Sequence, residues 1–333
     1  MKALVTGAGG FIGSHLAVEL VKRGHSVTGL FMHQEDSSAA KKKGISVFRG
    51  DITQPYSIAR MADDVDTVFH LATRTSDWGS KKAFEAIMID GTRNILEASK
   101  GKISRFIYYS SIAALGFGRD LDGFSEDAER KVCGIPYCDT KIKAEDMVKE
   151  FCNTNGIDYT IIRPANVIGP GSVWVKDILD AYQRTIVPLI NGGRSSGAFI
   201  YVDNLVDGSI LAAESSVAKG RTYHMRDDFD LSWDEYFRHL GALIDKKPIG
   251  NIPFPVAWYL GHLLEIVMTP LNIRPPMTRL AAGVLGKSND VDNSRARKEL
   301  NWESRISLDE AMRRIDRWVF QHYLLDEQHE SIV

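Results

Sequence analysis

The chain has 333 residues, of which 44% are apolar and 25% charged, as in a globular protein with one large α/β domain and a smaller lobe. The formal net charge is −2 and the only basic run is Lys41 to Lys43, so no nucleic-acid partner is expected. The three cysteines have neither metal-ligand nor disulfide-framework spacing, which favours a reducing, cytoplasmic compartment and no metal. Because the first predicted strand begins at residue 2, we also expect no signal or transit peptide.

A glycine-rich turn follows that first strand, which is predicted over residues 2–6. Gly7, Gly10 and Gly13 precede a helix predicted over residues 11–23. The first glycine permits a tight turn, the second lets a pyrophosphate approach the backbone, and the third lets the helix pack close to the strand. The helix N-terminus attracts phosphate charge. This stretch predicts a dinucleotide site.

The second strand, predicted over residues 26–31, ends where an acidic side chain would bind the ribose of NAD or an arginine would bind the 2′-phosphate of NADP. Met32 and His33 stand there and match neither pattern. Glu35 and Asp36 lie slightly too far along the chain to be assigned as ribose ligands. The absence of an arginine favours NAD slightly and leaves NADP open.

Three further strands are predicted over residues 45–49, 66–70 and 105–110, with a long helix over residues 81–99. Asp51 follows the first of these strands and could cap a helix that starts near Pro55, but the family resemblance described below favours a contact of Asp51 with adenine instead. Ser110 and Ser111 end the last of them and point to opposite sides of the strand end.

Tyr137 and Lys141 are four residues apart on a helix predicted over residues 137–154, so both side chains project from one face. A tyrosine hydroxyl has an ordinary pKa of about 10, and a neighbouring ammonium is expected to lower it. Tyr137 would then transfer a proton while a hydride passes between nicotinamide C4 and the substrate. Ser111 would donate to the developing oxyanion. The alternative is an ordinary solvated pair on a surface helix.

The rest of the chain continues the alternation of strands and helices. Strands are predicted over residues 159–163 and 198–202, with helices over 176–185 and 204–215 and two more that open at Ser232 and Ser307. Strands separated by helices require a parallel sheet with right-handed crossovers. The prediction is an α/β fold: a Rossmann-type doubly wound sheet in residues 1–170, with 198–216 returning to it, and a smaller, mostly helical substrate lobe in 171–333.

The Gly-x-x-Gly-x-x-Gly run, the Tyr-x-x-x-Lys pair and Arg163-Pro164 resemble the extended short-chain dehydrogenases/reductases, the NAD-dependent epimerase/dehydratase family, over nearly the whole chain. The resemblance implies Ser111, Tyr137 and Lys141 as catalytic residues and a homodimer. It implies cofactor contacts from Gly7, Gly10, Phe11, Ile12, Gly13, Met32, Asp51, Ile52, Leu71, Ala72, Thr73, Tyr137, Lys141, Pro164 and Val167. One departure is Met88, where the family has an asparagine, and it puts in doubt a proton relay through that side chain.

The substrate class is predicted from active-site residues that other members of the family carry and this chain lacks. Dehydratases of the family carry Asp-Glu directly after the active-site serine, where this chain has Ile112-Ala113. Nucleotide-sugar enzymes carry arginines where this chain has Gly171 and Gly197, although Arg194 is close enough to substitute. These differences resemble the 3β-hydroxysteroid dehydrogenase-like and dihydroflavonol reductase-like branch, which implies an alcohol/ketone reaction on a lipophilic small molecule. The alternatives are a nucleotide-sugar epimerase or dehydrogenase and a non-catalytic dinucleotide-binding protein.

An apolar segment at residues 253–271 agrees with a lipophilic substrate. It is shorter than the roughly 20 residues of a membrane span and contains His262 and Glu265. A buried helix and a helix that lines the substrate pocket are equally favoured. A peripheral contact with a membrane surface ranks behind them.

Overall fold

The computed structural model describes residues 1–324, and its centre is a sheet of seven parallel strands. In chain order the strands are β1 (Lys2–Thr6), β2 (Ser26–Phe31), β3 (Ser46–Arg49), β4 (Thr67–His70), β5 (Arg105–Tyr109), β6 (Asp158–Pro164), β7 (Asn166–Ile168), β8 (Leu189–Ile190), β9 (Phe199–Tyr201), β10 (Arg221–Met225) and β11 (Asn251–Ile252). The central sheet has the order β10-β6-β5-β4-β1-β2-β3. Every residue of β4 and β5 is buried, as expected for strands covered on both faces.

The helices lie on both faces of this sheet and in the C-terminal lobe. They are α1 (Phe11–Lys22), α2 (Ser38–Lys42), α3 (Pro55–Ile58), α4 (Lys81–Glu85), α5 (Thr92–Ser99), α6 (Pro136–Asn155), α7 (Val173–Arg184), α8 (Val202–Glu214), α9 (Trp233–Ala242), α10 (Phe254–Met268), α11 (Arg279–Gly286), α12 (Ser294–Leu300) and α13 (Leu308–Val319). Short 3₁₀ turns occupy Ile112–Leu115, Asn191–Gly193 and Thr269–Leu271, and π-helical turns occupy Ala86–Gly91 and Phe320–Leu324. The predicted doubly wound α/β fold is confirmed.

Two apolar layers hold helices to the sheet. On one face, α1 and α8 bury residues such as Leu16 and Leu205 in a cluster with Val5. On the other, α5 and α6 bury residues such as Leu96 in a cluster with Phe106. Burying such side chains contributes about 1.5–3 kcal/mol each. The layers fix the helices that carry the site relative to the strand ends.

The strand order reverses between β1 and β4. From β1 the chain runs outward through β2 and β3, then returns to β4 and runs outward on the other side. Ligands of open α/β sheets bind beyond the carboxyl ends of the strands at such a switch point. The loops after β1, β2, β4, β5 and β6 therefore face one crevice.

The C-terminal lobe has its own aromatic core. The ring of Trp233 lies 4.8 Å from that of Phe199, and Tyr236 also packs on Phe199 at 4.8 Å. Ser232 and Glu235 form the predicted capping box at the start of α9. Two short parallel sheets, β7-β9 and β8-β11, complete the lobe.

Two features differ from the sequence prediction. The strand predicted over residues 198–202 is β9, which pairs with β7, while the outer strand of the central sheet is β10, at residues 221–225. The helix predicted over residues 81–99 is interrupted by the π-helical turn Ala86–Gly91. The division into domains near residue 170 stays a prediction.

Candidate active site

The glycine turn is built so that its backbone is closely packed. Gly7 has a φ of +69°, and a Cβ on it would lie 3.1 Å from the nitrogen of Ala72. A Cβ on Gly13 would lie 2.1 Å from the carbonyl oxygen of Gly7, which no side chain can do. Gly10 donates to the same carbonyl at 3.0 Å and precedes the first residue of α1, Phe11. The turn leaves the first amides of α1 open to a phosphate.

Thr6 ties this turn to the loop after β4. Its hydroxyl oxygen accepts from the backbone N–H groups of Leu71 at 3.1 Å and Ala72 at 3.0 Å. The same oxygen lies 2.8 Å from Nδ1 of His70. Residues 71–73, which the sequence assigns to the cofactor, are thus held beside the glycine turn. The hydroxyl of Thr73 is buried without a hydrogen-bond partner among the described residues.

His70, which the sequence analysis did not select, lies in a chain of hydrogen bonds. Thr92 Oγ1 donates to the carbonyl of Met88 at 2.9 Å, so it accepts from Nε2 of His70 at 2.9 Å. Nδ1 then accepts from Thr6, and the network assigns the neutral Nε2–H tautomer. Burial, with the nearby Lys141, lowers the pKa of His70 to about 3. His70 is therefore a neutral link between β4 and the helix that carries Met88.

Met88 lies inside the π-helical turn with its side chain buried. A π turn shifts the backbone hydrogen bonding of a helix, and such turns are frequent at functional sites. The methionine side chain has no group that can relay a proton. The carbonyl oxygen of Met88 is the polar atom at this position, and it is occupied by Thr92.

Asp51 and Ile52 lie after β3 at the same edge of the sheet. The Asp51 carboxylate accepts from the N–H and the hydroxyl of Thr53, both at 2.8 Å. The N-cap of α3 is Gln54, so the alternative that Asp51 caps this helix is wrong. Ile52 is buried and packs against Gly91, where a Cβ would lie 2.7 Å from its Cδ1.

The loop after β2 brings an acidic side chain to the glycine turn. Glu35 accepts from the N–H of Met32 at 2.8 Å, and its Oε2 lies 3.4 Å from the position of a Cβ on Gly9. Arg49 donates to the carbonyls of Met32 and Glu35, both at 2.6 Å, which folds the loop back. Because the loop reverses, Glu35 reaches the glycine turn despite its distance along the chain, and its contact with a ribose stays a prediction. A carboxylate here suits the ribose hydroxyls of NAD and repels a 2′-phosphate.

The remaining predicted cofactor residues lie around the same crevice. Pro164 ends β6 and Val167 lies in β7, directly after it. Phe11 stacks edge-on against His15, with ring centres 5.5 Å apart, and its ring closes over Gly169. Their contact with a cofactor stays a prediction.

Tyr137, Lys141 and Ser111 come together at the ends of α6 and β5. Pro136 occupies the first position of α6, so Tyr137 lies at its N-terminus. Lys141 Nζ is 5.8 Å from the ring centre of Tyr137 and donates to the carbonyl of Tyr109 at 2.8 Å. Ser111 is the extended residue before the turn Ile112–Leu115, and its hydroxyl accepts from the N–H of Ala113 at 3.1 Å.

Burial dominates the protonation of this group. It raises the pKa of Tyr137 to about 12, with the nearby Cys138 adding to the rise and the Ser111 hydroxyl opposing it. Burial also lowers the pKa of Lys141 to about 7, against the upward pull of Glu145. The predicted lowering of the Tyr137 pKa is therefore not found in the protein alone. The amine that was expected to cause it is itself only partly charged at neutral pH.

A buried ion pair holds α6 against β6. Arg163 donates from Nε and Nη2 to the two carboxylate oxygens of Glu145, at 2.8 and 2.7 Å. Burial would raise the pKa of Glu145, but the hydrogen bonds and charge of Arg163 outweigh it and the pKa is lowered. Ser110 Oγ lies near this carboxylate without a hydrogen bond of ordinary length. Ser110 thus faces the ion pair, while Ser111 faces Tyr137.

A cleft of about 280 Å³ opens beside Tyr137. The wall includes the apolar residues Phe84, Ile135, Pro136, Ile266 and Pro270 and the charged residues Asp77, Lys81, Glu265 and Arg279. Its arginine is already engaged, because Arg279 pairs with Glu265 at 2.7 Å and donates to the carbonyl of Gly134 at 3.0 Å. A mostly apolar wall with a few placed polar groups is typical of sites for small organic ligands.

Helix α10 contributes part of this wall. Of its residues only Ala257 and Gly261 are buried, so the prediction of a buried helix is wrong. One side, including Ile266, faces the cleft. The large exposed apolar side chains in and just after α10 are Val256, Tyr259, Leu260, Leu263, Ile266, Val267, Leu271 and Ile273. No helix within residues 1–324 is long and apolar enough to cross a membrane.

The two glycines at the expected arginine positions are covered by aromatic rings. A Cβ on Gly171 would lie 3.5 Å from the Trp318 ring, and one on Gly197 would overlap the Phe199 ring at 1.9 Å. Arg194 is exposed and is not part of the cleft wall. The region that binds a nucleotide diphosphate in the epimerase interpretation therefore lacks buried cations at both positions.

The sequence matches a family model, that of the "NAD dependent epimerase/dehydratase family", over residues 3–225. The chain belongs to this family. It is an NAD-dependent oxidoreductase of the extended short-chain dehydrogenase/reductase type, and its cofactor is NAD. The turn around Gly7 and Gly13, the position of Glu35 and the unpartnered hydroxyl of Thr73 fit a bound dinucleotide.

Curated relatives span the whole chain. It is 27% identical over 332 residues to a 2-alkyl-3-oxoalkanoate reductase of Stenotrophomonas maltophilia, covering 95% of this chain and 98% of that one. It is 28% identical over 327 residues to the decarboxylating sterol-4-alpha-carboxylate 3-dehydrogenase of Mus musculus, with 94% and 89% coverage. It is 27% identical over 336 residues to a 3 beta-hydroxysteroid dehydrogenase/Delta 5-->4-isomerase of Mycobacterium tuberculosis, with 93% and 88% coverage.

Solved structures share the fold. A UDP-glucose 4-epimerase of Thermotoga maritima, solved with UDP-glucose, has a TM-score of 0.76 at 22% identity and covers 96% of this chain and 99% of its own. A UDP-glucose 4-epimerase of Thermus thermophilus in complex with NAD has a TM-score of 0.75 at 19% identity, with 97% and 100% coverage. At these identities the likeness concerns the fold alone.

Proposed function

We propose that the protein interconverts a secondary alcohol and a ketone on a lipophilic, 3β-hydroxysteroid-like or sterol-like substrate, with Tyr137 as the acid/base group. The observation that carries this proposal is the cleft beside Tyr137, whose wall is mostly apolar. The glycines covered by Trp318 and Phe199, where diphosphate-binding arginines would stand, support it.

The proposed mechanism assigns one task to each residue. Bound NAD supplies the hydride acceptor for alcohol oxidation, and its reduced form supplies the donor for ketone reduction. In reduction Tyr137 gives its phenolic proton to the substrate oxygen, and in oxidation it takes the proton back. Ser111 donates a hydrogen bond to the same oxygen, where negative charge develops. Lys141 in its charged form stabilises the phenolate that remains.

In the unliganded protein, the protonation state of Tyr137 suits ketone reduction rather than alcohol oxidation. With its pKa raised to about 12, Tyr137 is protonated at neutral pH. A protonated phenol is the form needed to reduce a ketone. Alcohol oxidation needs the phenolate and is therefore expected to speed up as the pH rises above neutral.

The relatives' names agree with a lipophilic substrate. One names an alkyl-substituted oxoalkanoate, another a sterol carboxylate and a third a hydroxysteroid. In the first two names the carboxylate is attached to the carbon next to the one that is oxidised or reduced. No diphosphate is part of any of the three names.

The test is a substrate panel followed at the absorbance of the reduced cofactor. A 3β-hydroxysteroid, a long-chain 3-hydroxy acid and its ester are offered with NAD, and UDP-glucose and UDP-galactose are offered in parallel. We expect one NADH per lipophilic alcohol oxidised and no binding of the UDP-sugars. Tight UDP-sugar binding that requires Arg194 would overturn the proposal in favour of an epimerase.

Three further properties stay predictions. A homodimer is expected from the family resemblance, and sedimentation equilibrium measures it. A peripheral membrane contact through the exposed side of α10 is measured by flotation with phosphatidylcholine vesicles, with Leu263→Glu as the variant that should reduce it. A cytoplasmic location is measured by cell fractionation.

A further inference from the structure

Arg74 contacts two residues of the cleft wall, Phe84 and Gly79, and has no ionic partner among residues 1–324. Its guanidinium carbon is 5.3 Å from the centre of the Phe84 ring, and Phe84 packs edge-on against Tyr137 with ring centres 6.3 Å apart. Arg74 and Tyr137 are therefore second neighbours through one ring of the cleft wall. The arginine is carried by the loop after β4, at the ligand edge of the sheet.

The guanidinium is held in place by packing. Its Nη2 lies 3.0 Å and its Nε 3.3 Å from the position of a Cβ on Gly79, so the glycine makes room for it. The Nε atom is buried and has no hydrogen-bond partner among residues 1–324. A buried guanidinium donor without an acceptor costs free energy that an incoming acceptor would recover.

The neighbouring cations differ from Arg74. Arg279 pairs with Glu265 at 2.7 Å, Arg274 with Asp77 at 3.3 Å, and Lys81 with Glu85 at 4.0 Å. Within the described chain, no carboxylate lies within 4 Å of the Arg74 nitrogens. Of these four cations, Arg74 is the one with a buried donor that has no acceptor among the described residues.

We propose that Arg74 binds a carboxylate of the substrate and that the substrate is a lipophilic 3-hydroxy or 3-oxo carboxylic acid. This rests on the proposed function, which it extends by naming the acidic group. Arginine binds carboxylates through two parallel hydrogen bonds, which orient as well as hold the ligand. In such an acid the carboxylate carbon is two bonds from the reacting carbon. A carboxylate bound by Arg74 beside Phe84 therefore positions the substrate oxygen that exchanges a proton with Tyr137.

The reaction is balanced without a further reagent. The 3-hydroxy acid loses the carbinol hydrogen as a hydride to NAD and the hydroxyl proton to Tyr137, and becomes the 3-oxo acid. One NADH and one proton are released. The carboxylate is unchanged in this step.

The test compares an acid with its neutral ester. A long-chain 2-alkyl-3-hydroxy acid and its methyl ester are oxidised by the wild type and by Arg74→Gln, Arg74→Lys and Lys82→Gln. Lys82→Gln is the matched control, because Lys82 is an exposed cation on the adjacent helix and, unlike Arg74, does not lie over the Phe84 ring or against Gly79. NAD affinity is measured separately by calorimetry.

We expect the wild type to prefer the acid by about 10- to 100-fold in kcat/KM. Arg74→Gln should lose this preference while keeping its rate with the ester and its affinity for NAD. Arg74→Lys should keep part of the preference, and Lys82→Gln should keep all of it.

Four results would overturn the proposal. If the wild type treats acid and ester alike, or if Arg74→Gln keeps the preference, Arg74 does not bind the carboxylate and the proposed function is unaffected. If Arg74→Gln weakens NAD binding and slows both substrates equally, the arginine serves the diphosphate of the dinucleotide. If neither substrate nor any lipophilic alcohol is oxidised, the proposed function fails and this proposal fails with it.

Discussion

The amine of Lys141 lies 5.8 Å from the ring centre of Tyr137; the lysine is buried, and the tyrosine is half-buried at the wall of the cleft. Burial moves their two pKa values in opposite directions, up to about 12 for the phenol and down to about 7 for the amine. Both shifts favour the neutral form. Titratable groups perturbed in this way and placed beside a cleft are typical of functional sites.

Tyr137→Phe tests the assigned proton transfer. The change removes one hydroxyl and leaves the ring against Phe84, so the fold and NAD affinity should be nearly unchanged. Turnover should fall by about 10²-fold or more, since only the acid/base group is lost. Steady-state rates and a calorimetric NAD titration measure the two effects. Wild-type turnover in the variant would exclude Tyr137 as the acid/base group, whereas Lys141→Ala should impair both turnover and binding.

Lys141→Met tests the lowered pKa through stability. The unfolded amine has a pKa near 10.5 and the folded one about 7, so between these values the unfolded chain binds one more proton. The free energy of unfolding of the wild type should therefore rise with pH in this window, by up to about 1.4 kcal/mol per pH unit from this group. Lys141→Met has no amine at this position, so this contribution to the pH dependence of its free energy of unfolding is absent.

Urea titrations without cofactor at pH 7.5, 8.5 and 9.5 measure the difference between the two proteins. The wild type should gain stability relative to Lys141→Met at each step. A difference that does not change with pH would show that the folded Lys141 keeps an ordinary pKa.

Glu35→Gln tests cofactor preference. The Glu35 carboxylate lies beside Gly9, where it should repel the 2′-phosphate of NADP. The wild type should bind NAD at least about tenfold more tightly than NADP, and the variant should narrow this ratio by improving NADP binding. Fluorescence titrations with both reduced cofactors measure it. Tighter binding of NADP by the wild type would contradict the assignment.

Gly13→Ala tests the close packing of the glycine turn. The new Cβ would lie 2.1 Å from the Gly7 carbonyl, so the turn must move. NAD binding should weaken by at least about tenfold, because the turn positions the amides that face the phosphates. Gly101→Ala is the control, since Gly101 has a φ of +70° but no atom within 4 Å of its Cβ position. Unchanged NAD binding in Gly13→Ala would contradict this role of the turn.

The fold was largely predictable because its signals are local. The spacing of Gly7, Gly10 and Gly13 and the regular alternation of strands and helices require a doubly wound sheet. These local signals did not predict which segment, β9 or β10, forms the outer strand of the central sheet. Both are short, and β10 includes the polar residues Arg221, Thr222 and His224, so no continuous apolar run marks it as a strand of the central sheet. Which of the two pairs with β6 depends on packing between distant parts of the chain.

The sequence predicted the site residues that lie in motifs with fixed spacing. It missed residues that reach the site through a folded-back loop or a hydrogen-bond network. Tyr137, Lys141 and Ser111 have fixed spacing and order, and the structure places them together. Glu35 reaches the glycine turn only because Arg49 folds the loop back, and no sequence spacing reports that. Arg74 could have been found as an arginine after a strand end, but its missing partner is visible only in three dimensions.

The proposed function makes the transfer of hydrogen between cofactor and substrate its central claim. An epimerase would return the hydride to the same sugar and keep its cofactor bound, so no label would pass from added NADH to a released product. The measurement uses NADH that carries deuterium at C4, prepared separately in each of its two stereochemical forms.

Each labelled form is incubated with a lipophilic ketone, and the alcohol product is analysed by mass spectrometry. For one of the two forms we predict one deuterium on the carbinol carbon of the product for every NADH oxidised, and for the other form none. Alcohol that carries no deuterium with either form, or no alcohol at all alongside turnover of a UDP-sugar, would contradict the account.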